Sequence, residues 1–212
     1  RYSMPGDISS QFITGMLLAL PRLAGDSVLE ITTPLESRAY VELTRRIQAD
    51  YHVVSEWDEK GQSLLIPGGQ RAVSPGTMHI GGDWSHAAFY LVAGAIGRGE
   101  IRLTGLDPNS AQGDRALVGI LRDMGADITE SNLRDEAEPM CDLTVKYSRL
   151  HGVEIGGAII PRLIDELPVI AVAAAFAEGE TVIRDAQELK VKESNRIAAM
   201  VAELTKAGVD VE

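Results

Sequence analysis

Acids, amides, hydroxyls and cations gather where apolar helices should begin, and such groups can move protons and hold phosphate. Gly6-Asp7-Ile8-Ser9-Ser10-Gln11 stands before an apolar run from Phe12 to Leu20. Its two hydroxyls, its amide and the free N–H groups of a helix start can surround an anion. A plain N-cap by Asp7 or Ser9 fits the same residues. Leu163-Ile164-Asp165-Glu166-Leu167-Pro168 sets two carboxylates among apolar neighbours. A partly buried carboxylate there suits proton transfer, and again a cap with Pro in the first turn is the simpler alternative. In Lys190-Val191-Lys192-Glu193-Ser194-Asn195-Arg196, Lys192 and Arg196 have the spacing of one helix face. They could hold an anionic substrate while Glu193 handles a proton, or simply form a solvated helix start. Gln112-Gly113-Asp114-Arg115 reads as capping plus an ion pair, and Ser37 reads as a cap.

These clusters recur because the chain repeats itself with a period of roughly 80 residues, the size of a βαβ-type unit. Each copy has a polar helix start, an apolar run, a Gly-and-acid turn and a strand. A second helix with a charged start and a closing turn follow. Residues 6–70 form the first copy, which Arg1-Tyr2-Ser3-Met4-Pro5 enters without a leading strand. Within it, Ser9–Leu20 and Glu36–Ala49 read as helices, Val28–Thr32 as a strand, and His52–Trp57 with Ser63–Pro67 as a hairpin. The second copy spans about 83–160, with Thr129–Met140 as an exposed turn and Asp142–Tyr147 as a strand. The third begins near Pro161. Breakers from Gly68 to Gly82 set a boundary near residue 80, giving domains 1–80 and 81–212. The helices beginning near 9, 84 and 166 are apolar nearly all round and should be buried, with strands outside them.

Composition sets the bounds. The chain has 212 residues, 45% hydrophobic and 24% charged, which suits a soluble protein with a sizeable core. A net charge of −11 argues against nucleic acid and against anionic membrane as partners. The single cysteine, Cys141, fits a reducing cytoplasm and reads as a core residue. His52, His79, His86 and His151 lack metal-ligand spacing, so neither metal nor cofactor is expected. Trp57 and Trp84 read as packing residues.

Taken together, the motifs resemble the 5-enolpyruvylshikimate-3-phosphate synthase branch of the enolpyruvyl transferase family. The resemblance rests on Pro5–Phe12, Leu35-Glu36-Ser37-Arg38-Ala39-Tyr40, Gly82-Asp83-Trp84-Ser85, Gln112-Gly113-Asp114 and Leu189–Arg196, in order along nearly the whole chain. It implies an α/β (α+β) fold, the family's inverse α/β barrel of βαβαββ repeats, with helices inside and sheets outside. It also implies transfer of the enolpyruvyl group of phosphoenolpyruvate to the 5-hydroxyl of shikimate 3-phosphate. By resemblance, Ser9, Ser10, Gln11, Ser37 and Lys192 contact shikimate 3-phosphate, and Gln11 and Arg196 hold phosphoenolpyruvate. Asp165 accepts the 5-hydroxyl proton, and Glu193 serves proton transfer at the enol carbon. Three positions depart from the family's pattern: Asn195 for Asp, His86 for Ser and Glu188 for Asn. Other family groups would lie before and after this stretch. The chain therefore reads as part of a longer protein, monomeric and cytoplasmic when whole, with no turnover expected of this part alone. The alternatives are a UDP-N-acetylglucosamine enolpyruvyl transferase and a non-catalytic phosphate-binding module.

Overall fold

A computed structural model describes residues 1–35, 37–78, 80–134 and 140–212. The chain divides into two compact units, Arg1–His79 and Ile80–Glu212. His79 itself lies outside the described residues, as does Glu36, expected to open a helix.

The first unit runs strand, helix, strand, helix, strand, strand. Its elements are β1 (Tyr2–Met4), α1 (Ser10–Ala19), β2 (Ser27–Ile31), α2 (Arg38–Asp50), β3 (Glu56–Trp57) and β4 (Ser63–Ile66). The sheet order is β1-β2-β4-β3, with β1 parallel to β2 (Tyr2 opposite Leu29) and the other pairs antiparallel. A leading strand is therefore present, contrary to the sequence expectation. At three residues it is too short to show a period. Ile13 and Leu17 of α1 meet Leu29, Ile31, Val41, Leu64 and Ile66 in one core. Pro21 lies four residues beyond Leu17 and has no N–H to give the Leu17 carbonyl. Gln48 of α2, itself buried, fills that gap by donating its side-chain amide to Leu17 O at 2.7 Å.

The expectation that α1 is buried all round does not hold within this unit. Phe12 and Leu18 are exposed on its far side. Only the stripe through Ile13 and Leu17 faces α2 and the sheet, because the unit supplies packing partners on one side of the helix.

The second unit repeats the pattern. After α3 (Trp84–Ile96) come β5 (Glu100–Leu106), a 3₁₀ turn (Gly113–Ala116), α4 (Leu117–Asp123), β6 (Asp127–Arg134) and β7 (Met140–Lys146). These strands form an antiparallel sheet, β5-β7-β6. The leading strand of this copy shrinks to one parallel bridge, Gly82 to Leu106. A third copy follows: β8 (Glu154–Ile155), a 3₁₀ turn (Gly157–Arg162), α5 (Leu167–Ala174), β9 (Val182–Ile183), a 3₁₀ turn (Gln187–Lys190) and α6 (Arg196–Lys206). Again the leading strand pairs in parallel with the strand after the helix, Ile155 opposite Ile183.

Two expectations are corrected here. The third copy starts at Glu154 rather than near Pro161, since a two-residue strand carries no periodicity. Thr129–Arg134 is strand rather than turn. It is a polar edge strand whose backbone pairs with β7, Thr129 opposite Thr144 and Ser131 opposite Asp142. The rest of the expected turn, 135–139, lies outside the described residues.

Within this unit α3 packs against β5 and β7 and also against α4 and α5. Ala87, Ala88, Leu91, Val92 and Ala95 are buried, while Phe89 and Tyr90 remain exposed. In α5, Leu167, Val169, Ile170 and Ala173 are buried. β5 alternates exposed and half-buried residues, so its outer face meets solvent. Helices lie inside and the sheet outside, as expected. Cys141 is buried in β7, and burial pushes its thiol pKa up. The neighbouring buried Asp142 is fully satisfied: Arg102 and Asn132 each donate at 2.8 Å and the Gly105 N–H at 3.2 Å. Arg102 first, then Asn132, hold its pKa down at about 2.

Candidate functional site

In the first unit the candidate residues lie at two helix starts. Ser9 is the N-cap of α1, its backbone extended and its hydroxyl accepting the Gln11 N–H at 3.3 Å. Ser10 and Gln11 begin the helix, Ser10 half-buried and Gln11 exposed. Ser37 occupies the N-cap position of α2, but its hydroxyl makes no capping bond, contrary to the expectation of a simple cap. The loop before Ser9 is held by a residue that sequence reading missed. Thr33 donates its hydroxyl to Asp7 Oδ1 at 2.7 Å and accepts the N–H groups of Gly6 at 2.8 Å and Asp7 at 3.2 Å. Asp7 is thus engaged by Thr33, which leaves the capping role to Ser9. Replacing Thr33 with Ala should cost about 1 kcal/mol and speed amide exchange at Gly6 and Asp7. Thr33→Ser should restore both, by urea titration and exchange-detected NMR.

In the second unit Asp165 and Glu193, distant in sequence, meet on one guanidinium. Arg196 donates Nη1 to Asp165 Oδ1 and to the Ile164 carbonyl (3.3 Å), and Nη2 to Glu193 Oε2 (2.9 Å). Glu193 is stabilised as an anion by its own backbone N–H and by Arg196, which lower its pKa. Asp165 and Glu193 are solvent-accessible, and Arg196 is mostly covered. Lys192 does not share a helix face with Arg196. The helix begins only at Arg196, with Asn195 as N-cap accepting the Ala198 N–H at 3.1 Å. Lys192 precedes it and pairs with Glu188. The two departures at Glu188 and Asn195 thus have local roles, one as an ion-pair partner and one as a cap.

Behind this exposed group lies a buried one. Glu166 is fully buried, and its Oε1 accepts from the Ser85 hydroxyl at 2.6 Å. It does not cap α5, although it stands at the N-cap position. Asp114 is also buried, and Gln112 caps a different helix from the one it opens: its Oε1 accepts the Trp84 N–H of α3 at 2.7 Å. This corrects the reading of Gln112 as a local cap. Trp84 is a packing residue, as expected, with its indole N–H on Asp107 O at 3.0 Å. His86 pairs with Asp83, the N-cap of α3. A sequence signal for the inward Glu166 existed. Leu163, Glu166, Ile170 and Ala173 are spaced as one helix stripe, and all four are buried. Among the described residues, no group of three or more His, Cys, Asp or Glu could hold a metal ion.

The chain thus carries a polar helix start in one unit and an acid–arginine cluster in the other, and its likeness to known proteins follows the whole length. Residues 1–212 match the sequence model of EPSP synthase (3-phosphoshikimate 1-carboxyvinyltransferase). The 3-phosphoshikimate 1-carboxyvinyltransferase of Geobacillus thermodenitrificans (strain NG80-2) is 44% identical, over 100% of this chain and 47% of that relative. That of Clostridium kluyveri is 40% identical, over 99% of this chain and 46% of its own length. The chain therefore spans about half the length of the curated relatives it matches. Among solved structures, the EPSP synthase of Acinetobacter baumannii superposes with a TM-score of 0.78 at 32% identity, over 96% of this chain and 44% of that one. The enolpyruvyl transferase NikO from Streptomyces tendae, at 18% identity and a TM-score of 0.60, shares the fold. The chain belongs to the EPSP synthase (3-phosphoshikimate 1-carboxyvinyltransferase) family.

Proposed function

We propose that this chain supplies part of an enzyme that transfers the enolpyruvyl group of phosphoenolpyruvate to the 5-hydroxyl of shikimate 3-phosphate and releases phosphate. One observation carries the reading: Asp165 and Glu193 share the guanidinium of Arg196. Addition and elimination at one carbon need two proton-handling groups beside an anion-binding cation. The 5-hydroxyl oxygen bonds to C2 of phosphoenolpyruvate, its proton passes to Asp165, and a proton from Glu193 converts the methylene to methyl. Elimination then breaks the bond from C2 to the phosphate oxygen. The methyl returns a proton to Glu193, which restores the double bond.

The resting electrostatics suit this order. Glu193 is held ionised by its own N–H and by Arg196. An anionic substrate that draws the guanidinium away raises the proton affinity of Glu193 and makes it a donor. At α1, the bond from Gln11 N–H to the Ser9 hydroxyl is long, 3.3 Å. A phosphate oxygen accepting from that N–H forms a stronger, charge-assisted bond at the positive end of the helix. Ser9, Ser10, Gln11, Ser37 and Lys192 are the proposed contacts to shikimate 3-phosphate, and Gln11 and Arg196 those to phosphoenolpyruvate. The protein would act in the cytoplasm as a monomer. Its lone cysteine supports the compartment, and no helix among the described residues is long and apolar enough to cross a membrane.

Titration of the 212-residue chain with shikimate 3-phosphate, followed by amide NMR, tests the α1 site. Larger shifts at Ser9, Ser10 and Gln11 than with shikimate are expected, and they should weaken as salt rises. Equal responses to both ligands would leave Ser9 as a cap and nothing more.

A further inference from the structure

We propose that Glu166 and Asp114 form a buried acid pair that shares one proton. In this role Glu166 is a positioning residue: it fixes the start of α5 from below and so holds Asp165 at the surface, where Arg196 binds it. The pair itself rests on the burial of both carboxyls and the packing of the segments that carry them; only the role of Asp165 rests on the proposed function.

Glu166 is 0% exposed and Asp114 3%. Glu166 Oε1 is satisfied by Ser85. Its Oε2 is buried and receives no N–H or O–H donor. The Asp114 carboxyl lies within hydrogen-bonding reach of the Glu166 carboxyl. Two carboxyl groups can bond there only if one carries the proton, and two buried negative charges in contact would repel strongly. The segments that carry them are pressed together. A Cβ on Gly113 would stand 2.7 Å from the Arg162 carbonyl oxygen, so the turn bearing Asp114 abuts the backbone leading to Asp165 and Glu166. Gln112 ties the same turn to the start of α3.

Among the described residues, the groups that act most on Glu166 are Asp114 from the 3₁₀ turn, Ser85 from α3 and, next in the chain, Asp165. Asp83 and His86 of α3 are paired with each other, and Asp165 is neutralised by Arg196. Burial, and then Asp114, push the Glu166 pKa up to about 8. The folded chain therefore keeps a proton that the unfolded chain releases. This contribution to stability is fully present below the unfolded carboxyl value and is lost as pH rises through the folded one.

The test uses the 212-residue chain and three variants. Glu166→Gln keeps an acceptor for Ser85 and gives Asp114 a permanent N–H donor. Urea unfolding read from the second unit's amide signals should show the parent losing stability between pH 5.5 and 8.5. Its folding constant should fall at least about tenfold further than that of Glu166→Gln over that range. The Glu166 carboxyl carbon, followed by NMR, should titrate well above an ordinary glutamate, and Asp114→Asn should move that midpoint down. The Arg196 Nη1–H signal reports the grip on Asp165. It should persist in Glu166→Gln and move toward free arginine in Glu166→Ala. If Glu166→Ala does not fold, the two amide variants decide. Equal pH dependence in parent and Glu166→Gln, or an ordinary Glu166 titration, overturns the shared proton. An unchanged Arg196 signal in folded Glu166→Ala overturns the positioning role. None of these readouts needs substrate, so failure of the proposed function would leave them intact.

Discussion

Asp165→Asn in the whole enzyme should lower kcat by about 10²–10⁴-fold while leaving KM for both substrates within a few-fold. The amide keeps an oxygen for the Arg196 guanidinium, so the local fold and the cation stay in place. What is lost is the ability to accept the hydroxyl proton. Arg196→Lys should behave differently. An ammonium cannot reach Asp165 and Glu193 with the fixed fork that a guanidinium presents, so KM for phosphoenolpyruvate should rise along with the fall in kcat. Arg196 is also one of the groups that keep Glu193 ionised. Without it the Glu193 pKa rises, and the basic limb of the kcat/KM profile, set by the proton that Glu193 must carry, should move to higher pH. Steady-state kinetics from pH 5 to 9 separate these outcomes. An Asp165→Asn enzyme within tenfold of the parent would remove Asp165 from proton transfer.

The largest stability loss is expected at Gly152, which joins β7 to β8. Its N–H donates to the Glu178 carbonyl at 2.8 Å. A Cβ there would lie 1.9 Å from the Glu180 carbonyl oxygen and 2.4 Å from its carbon. Both are backbone atoms and cannot swing aside as a side chain would. Gly152→Ala should cost about 3 kcal/mol or more, and the pairing of β8 with β9 should be the first to suffer. Gly119 provides the control. It lies in α4, and a Cβ there meets nothing within 4 Å. Gly119→Ala should stabilise the helix by up to about 1 kcal/mol. Urea midpoints of the two variants should move in opposite directions.

Residues with a strong period were legible. The apolar runs after Ser9, Asp83 and Glu166 gave three helices, and the alternation of Val28–Thr32 gave a strand, which runs over Ser27–Ile31. Short or polar elements were not legible. β1 and β8 span three and two residues, and the leading strand of the second copy is a single bridge at Gly82. Hydrogen bonds to a partner strand, rather than apolar side chains, make these elements. β6 failed for the related reason that an edge strand needs few buried residues.

At the site, types and spacing located the right segments but not the partners. Asp165 and Glu166 are chemically alike, and only the register against Ile170 and Ala173 sends one inward. The pairing of Lys192 with Arg196 assumed a helix over both, whereas the Asn195 cap starts it later. Thr33 gave no signal at all, because its role depends on β2 ending beside Gly6.

Cys141 is buried near the start of the middle strand of the second unit's sheet, and no other thiol exists in the chain. A disulfide reagent can therefore reach the protein only when that sheet opens. The rate of thiol labelling becomes a clock for the opening of one unit, silent to motions of the other. At low reagent concentration it reads the population of the open form, and at saturating reagent the rate of opening itself. One atom of sulfur thus times the opening of the second unit and of that unit alone.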